Sequence, residues 1–137
     1  MNDCVFCKIV EGKLPSYKIY EDKDVLAFLD IKPVHLGHTL IIPKKHSETI
    51  LDTEEKILKK LIVVTKKISK AMYESLKLDG FNIGINQFEA GNQIVPHLHI
   101  HITPRYKDDN FKLWPSREYR SEKERKEIQE KITKLLK

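Results

Sequence analysis

A chain of 137 residues with 40% hydrophobic and 33% charged side chains has the length and composition of one globular domain with its own core, not of a disordered segment. Twenty-five Lys and Arg against 20 Asp and Glu give a formal charge of +5, which favours anionic ligands, yet the cations are dispersed and leave no nucleic-acid footprint. The opening MNDCVFCKIVEGK has no secretory core and no apolar run approaches the roughly 20 residues that cross a bilayer, so a cytoplasmic protein without membrane contact is expected.

In chain order, residues 17–29 carry two short apolar runs around a charged turn at 21–24, the pattern of a hairpin. Asp30-Ile31-Lys32-Pro33 breaks the second run, because the residue before a proline avoids helix and Pro33 lacks a ladder donor. His38-Thr39-Leu40-Ile41-Ile42 predicts a third strand, entered through Gly37 and closed by Pro43. Asp52 and Glu55 have capping-box spacing, with Leu51 as a hydrophobic staple, and predict a helix start there. Beyond it Ile57, Leu61, Val64, Ile68 and Met72 recur at steps of three and four, widened by Leu58, Ile62 and Val63, over a helix of about 22 residues that faces a sheet. Asp79-Gly80 stops it. Phe81, Ile83 and Ile85 alternate with Asn82 and Gly84 as a strand, and after a polar connection holding Gly91 a last strand is expected over 97–103. An irregular segment after Pro104 leads to a charged helix from about Ser121, with Ile128, Ile132 and Leu135 as a narrow contact stripe. Strands with one long helix and no alternating βαβ rhythm predict a single α+β domain over 1–137, an antiparallel sheet with one helix on it and 104–137 as a tail and helical extension.

Three of the six histidines, His97, His99 and His101, alternate with Leu98, Ile100 and Ile102. A side-chain period of two places the three rings on one face of a strand. Histidine is no filler for an exposed strand face, and its charge switches near neutral pH. A metal held by all three fits poorly, since same-face neighbours lie ~6.6 Å apart and the outer pair ~13 Å apart, whereas zinc takes each nitrogen at ~2.0–2.1 Å. A row of groups along a phosphate ester suits the spacing better. Cys4 and Cys7 read as a metal knuckle, a redox pair or plain thiols.

Gly37-His38-Thr39 through Lys45-His46, Asn86, and Gln93-Ile94-Val95-Pro96-His97-Leu98-His99-Ile100-His101-Ile102 resemble the histidine triad (HIT) superfamily, and Cys4-Val5-Phe6-Cys7-Lys8-Ile9 and Phe28-Leu29-Asp30 add to the likeness. It is nearest to the nucleoside-phosphoramidate and dinucleoside-polyphosphate branches. The resemblance implies a five-stranded HIT-like fold and a nucleotidyl hydrolase or transferase of purine nucleotides. His99 is then the nucleophile on an α-phosphate, His101 a phosphate contact, His97 an orienting member and His38 a fourth histidine beside them. Asp30 takes the ribose hydroxyls, Phe28 and Ile31 border the base, and Asn86 and Gln93 approach the phosphate and leaving group. Ile94 departs from the small hydroxyl residue common after that glutamine. Adenosine 5′-phosphoramidates lead as substrates, dinucleoside polyphosphates are the alternative, and a nucleotide-binding regulator with incidental turnover is the rival class. Catalysis calls for no metal, but the resemblance implies a structural zinc on Cys4, Cys7, His46 and His97. It also implies a homodimer built on the long helix and the strand at 81–85. Arg105, Phe111, Trp114, Arg117 and Tyr119 either pin the tail to the body or border the active site.

Overall fold

The computed structural model describes residues 3–136. A six-residue helix α1 (Val5–Val10) precedes strands β1 (Lys18–Glu21), β2 (Val25–Leu29) and β3 (Thr39–Pro43). The long helix α2 (Glu55–Ser75), strands β4 (Gly80–Gly84) and β5 (Ile100–Arg105), and helix α3 (Glu122–Leu135) complete the chain. Every strand pair is antiparallel, in the order β1-β2-β3-β5-β4. The expected α+β architecture is the observed one.

The hairpin forms because Asp22 Oδ1 accepts from the backbone N–H of Asp24 at 2.7 Å and of Val25 at 2.8 Å, a local turn that competes well with continued strand. β2 and β3 are covered on both faces, so they read as continuous apolar runs. Val25, Ala27, Ile41, Leu98, Ile100 and Ile102 meet Leu61, Val64, Ile68 and Met72 of α2. On the opposite face Leu26, Phe28, Leu40 and Ile42 lie under Cys4, Phe6 and Cys7. The histidines of the β5 segment share this second face.

Four features differ from expectation. Asp52 does not cap α2; its carboxylate accepts from the N–H groups of Glu48 and Thr49 at 3.1 and 2.8 Å and closes a capping box on the short 3₁₀ turn Ile50–Asp52. Thr49 and Asp52 have the same three-residue spacing as Asp52 and Glu55, and the earlier pair wins; α2 instead begins after Glu54, with Leu51 exposed. The last strand pairs only from Ile100, because Pro96 interrupts the approach and the Leu98 N–H goes to Ser47 O at 2.7 Å. The helix α1, with Cys4 as its N-cap, is not signalled in the sequence. In α3, Ile128, Ile132 and Leu135 are exposed to differing degrees and belong to neither core cluster of the described residues; Ile128 alone meets the tail, beside Arg117 and Tyr119.

Part of the tail is pinned. Arg105 grips Asp109 through Nε and Nη2 at 2.8 and 3.0 Å, donates to Phe111 O at 2.7 Å and lies over the Phe111 ring, while Trp114 stays exposed. Arg105 first, then the N–H groups of Tyr106 and Phe111, hold the Asp109 carboxyl far below the ordinary carboxylate range. A lowered carboxyl pKa stabilises above the ordinary range and is lost as pH falls, so this clasp is intact at neutral pH.

Leu61 is 1% exposed at the centre of the α2 contact. Leu61→Ala is expected to lower the unfolding free energy by about 2–5 kcal/mol in urea titration; an effect within about 0.5 kcal/mol, the range of a surface substitution, contradicts this packing.

Candidate active site

The site is assembled where the approach to β5 crosses the ends of β2 and β3. A cavity of about 580 Å³ opens there. One wall is α1, through Val5, Phe6 and Ile9; Phe28, Asp30 and Ile31 from the end of β2 form another; Asn86, Asn92 and Ile94 form the third, and His99 and His101 lie across it. The lining is apolar apart from a few groups gathered near the histidines, the usual character of a small-molecule pocket.

Hydrogen bonds fix the tautomers of three rings. The Val34 N–H donates to His38 Nδ1 at 3.1 Å, which leaves the proton of neutral His38 on Nε2. That Nε2–H donates to His101 Nδ1 at 3.0 Å, so His101 carries its proton on Nε2, a buried atom without a partner among the described residues. Separately, His99 Nδ1–H donates to the carbonyl oxygen of His97 at 2.7 Å. His99 Nε2 is therefore a bare lone pair. Burial, the leading cause in each case, lowers the pKa of His38, His99 and His101, the last to about 4 with its histidine neighbours adding to the effect. All three rings are neutral at pH 7.

Asp30, His38 and His101 bring ligand atoms within 4.8 Å of one another, with Asp30 Oδ2 at 3.8 Å from His38 Nε2. As a metal site this set is disfavoured. Both His38 nitrogens would have to offer lone pairs, one to Val34 N–H and one to the cation, which demands an imidazolate. The group is a hydrogen-bond relay.

His97 turns away from the cavity and is fully buried. Its Nε2–H donates to Pro43 O at 2.8 Å, so Nδ1 faces Cys4 Sγ at 3.3 Å, Cys7 Sγ at 3.6 Å and His46 Nδ1 at 3.2 Å; His46 Nδ1 in turn lies 3.3 Å from Cys7 Sγ. Around a tetrahedral zinc with Zn–S of about 2.3 Å and Zn–N of about 2.0–2.1 Å, the S···N and N···N edges come to roughly 3.5 and 3.3 Å. The four donors fit that ion, and Pro43 O supplies the outer hydrogen bond that orients a ligating histidine. Burial, then the neighbouring Cys4, push the Cys7 thiol up to about 11. A cation among these groups is what would hold it as thiolate.

The sequence-predicted residues thus divide. His99, His101, Asp30, Phe28, Ile31 and Asn86 border the cavity, and His38 adjoins it through His101. His97 contributes its carbonyl and not its ring. Gln93 does not reach the cavity: its Nε2 donates to Glu48 O and Val95 O at 2.7 and 3.1 Å, and its Oε1 accepts from Phe88 N–H at 2.8 Å. It braces a connection in which Phe88 and Asn92 both have positive φ, 61° and 68°. Sequence reasoning missed the α1 wall. Phe6 meets His99 edge-on with ring centroids 5.2 Å apart, His97 at 5.8 Å and Phe28 at 5.5 Å. A short apolar stretch beside two cysteines carries no signal that it lines a pocket.

Residues 11–108 match the family model for the HIT domain. An uncharacterized HIT-like protein of Borreliella burgdorferi is 49% identical over 113 residues, 81% of each chain. An adenosine 5′-monophosphoramidase of Saccharomyces cerevisiae is 38% identical over 135 residues, 96% of this chain and 82% of that relative. An adenylylsulfatase of Arabidopsis thaliana is 41% identical over 119 residues, 87% and 59% respectively. Among solved structures, a protein from Streptococcus mutans superposes with a TM-score of 0.94 at 41% identity, covering 100% of this chain and 87% of that one. A zinc-bound histidine triad family protein from Mycobacterium smegmatis gives 0.78 at 40% identity, covering 85% of each.

Metal analysis of protein purified with zinc is expected to find one equivalent per chain, lost in His46→Ala and kept in His101→Ala. Retention in the first variant, or loss in the second, contradicts the assignment of ligands.

Proposed function

The chain belongs to the HIT family, and on that footing we propose that it is a hydrolase or transferase that cleaves adenosine 5′-phosphoramidates at the α-phosphate through a nucleotidyl-His99 intermediate. The observation that carries the proposal is the 2.7 Å bond from His99 Nδ1–H to His97 O, which commits one nitrogen and bares the other at an apolar cavity.

In this mechanism the His99 Nε2 lone pair forms a bond to the α-phosphorus as the bond to the leaving amine breaks, and the amine takes up a proton from solvent. Water then attacks the same phosphorus, the P–Nε2 bond breaks, one proton of that water returns to solvent, and AMP leaves with His99 neutral and still protonated on Nδ1. His99 becomes cationic as Nε2 is phosphorylated, so its Nδ1–H bond to the His97 carbonyl turns charge-assisted and strengthens on the way to the transition state. The unpartnered His101 Nε2–H takes an anionic oxygen as its missing acceptor, held in orientation by the His38 relay. Phe28, Ile31 and the α1 wall enclose the base, and Asp30 Oδ2 accepts from the ribose while Oδ1 accepts from Lys32 N–H at 2.8 Å. Cys4, Cys7, His46 and His97 would hold a zinc whose contribution would be structural cross-linking of the N-terminal helix to the sheet.

One observation favours a second reading of the leaving group. Ile94 lines the cavity, and among the described residues no hydroxyl side chain does. A group that departs as a stable anion, as from a dinucleoside polyphosphate, needs no such donor.

Two features support a homodimer. Among the described residues β4 pairs only with β5, leaving its outer edge open, and beside it Ile62 and Tyr73 of α2 form an apolar groove with Phe81 and Ile83. No helix among the described residues is long and apolar enough to cross a membrane. Two thiols reserved as ligands suit a reducing compartment, and we place the protein in the cytoplasm.

Intact-protein mass after brief mixing with adenosine 5′-phosphoramidate and an alkaline quench is expected to show an AMP-sized adduct, absent in His99→Ala, whose turnover falls by about three decades or more. Near-normal turnover in that variant would falsify the assignment. Because burial lowers the His99 pKa below the usual 6.5, its neutral form persists as pH falls. The acid limb of the kcat/KM profile should therefore have its midpoint below 6.5; a midpoint at or above that value contradicts the buried neutral nucleophile.

A further inference from the structure

Helix α1 serves two sites at once. It has six residues, too few to persist alone in water, so its tertiary attachments must hold it. On one side its N-cap Cys4 and its Cys7 turn their sulfurs to His97 and His46. On the other, Val5, Phe6 and Ile9 form a wall of the nucleotide cavity. Phe6 sits between the two sites, edge-on to the ring of ligand His97 and to the ring of nucleophile His99. His97 repeats the double engagement, its Nδ1 in the metal cluster and its carbonyl on His99 Nδ1–H. Both shared elements lie on the sheet face opposite α2.

Two ligands that order the same short element favour each other, because the first removes the ordering cost that the second would meet. We propose that the metal at Cys4, Cys7, His46 and His97 and the nucleotide in the adjoining cavity bind cooperatively through α1, with Phe6 as the positioning residue that transmits the effect. Metal occupancy then sets how well the chain captures nucleotide, and bound nucleotide retains the metal by the same factor. This inference rests on the reading of the cavity as a nucleotide site.

The reciprocal affinities test it. AMP binding is measured by calorimetry on zinc-loaded protein and on protein stripped by chelator under reductant; zinc affinity is measured by competition with a chromogenic chelator, with and without saturating AMP. Stripping is expected to weaken AMP by at least about 10-fold, and AMP to tighten zinc by the same factor. Phe6→Ala, which keeps all four ligands, should still take up one zinc while the factor shrinks toward one. Phe6→Leu should restore part of it. Hydrogen exchange separates local from global effects. Zinc removal should release the α1-region amides of Lys8 and Glu11, now bonded to Cys4 O and Cys7 O at 3.1 and 3.0 Å, while Ile41 and Ile102 in the sheet stay protected.

Equal AMP affinity with and without zinc, or an undiminished factor in Phe6→Ala, overturns the coupling and leaves the nucleotide reading standing. Loss of protection throughout β3 and β5 overturns it as well, because the effect is then unfolding. Failure of zinc-loaded protein to bind AMP overturns the nucleotide reading itself, and the coupling with it.

Discussion

The structure depends on how one residue, His97, divides its groups. Its carbonyl oxygen accepts from His99 Nδ1–H, while its ring donates to Pro43 O and offers its other nitrogen to Cys4, Cys7 and His46. A strand that begins at Ile100 and not at His97 is what permits this, because a carbonyl spent in a regular ladder would not be free to reach a side chain. The irregular step around Pro96 is thus the price of presenting His99 in one tautomer. The residues before it are shaped to match: Gln93 spends its whole amide holding a connection with two non-glycine residues at positive φ.

Burial is the second constraint. Desolvation keeps four histidines neutral within a chain of net positive charge. Neutral rings can both donate and accept, so a relay from the Val34 N–H through His38 to His101 can exist at all, and each tautomer follows from the one before it. The same burial would be unfavourable for a lone polar ring. The relay and the cluster of Cys4, Cys7 and His46 supply the partners that make it tolerable. A site of this kind is set up in advance, with its lone pair and its donor already in place before a ligand enters.

Much of this was legible in the residues. The alternation of His97, His99 and His101 against Leu98, Ile100 and Ile102 separates the two sheet faces correctly: Leu98, Ile100 and Ile102 lie in the core under α2 and His99 and His101 line the cavity on the other side, although His97 itself sits in a bend before the ladder begins. The stripe from Leu61 to Met72 located α2, since a long amphipathic repeat has few competing explanations. Three features were hidden for definite reasons. The start of α2 was obscured by two overlapping pairs of capping spacing, Thr49 with Asp52 and Asp52 with Glu55. The wall formed by Val5, Phe6 and Ile9 lies on a helix too short to show a period. The role of Gln93 depends on backbone groups of Glu48, Phe88 and Val95, which sequence spacing does not bring together.

The proposed chemistry turns on the state of His99, and long-range ¹H–¹⁵N correlation of the imidazole nitrogens measures it most directly. At neutral pH His99 is expected to show a protonated, hydrogen-bonded Nδ1 and an unprotonated Nε2, and the Nε2 resonance is expected to respond when AMP is added. A proton on Nε2, or a ring that averages both tautomers as an exposed histidine does, would contradict that chemistry, because the group assigned to attack phosphorus would then have no committed lone pair.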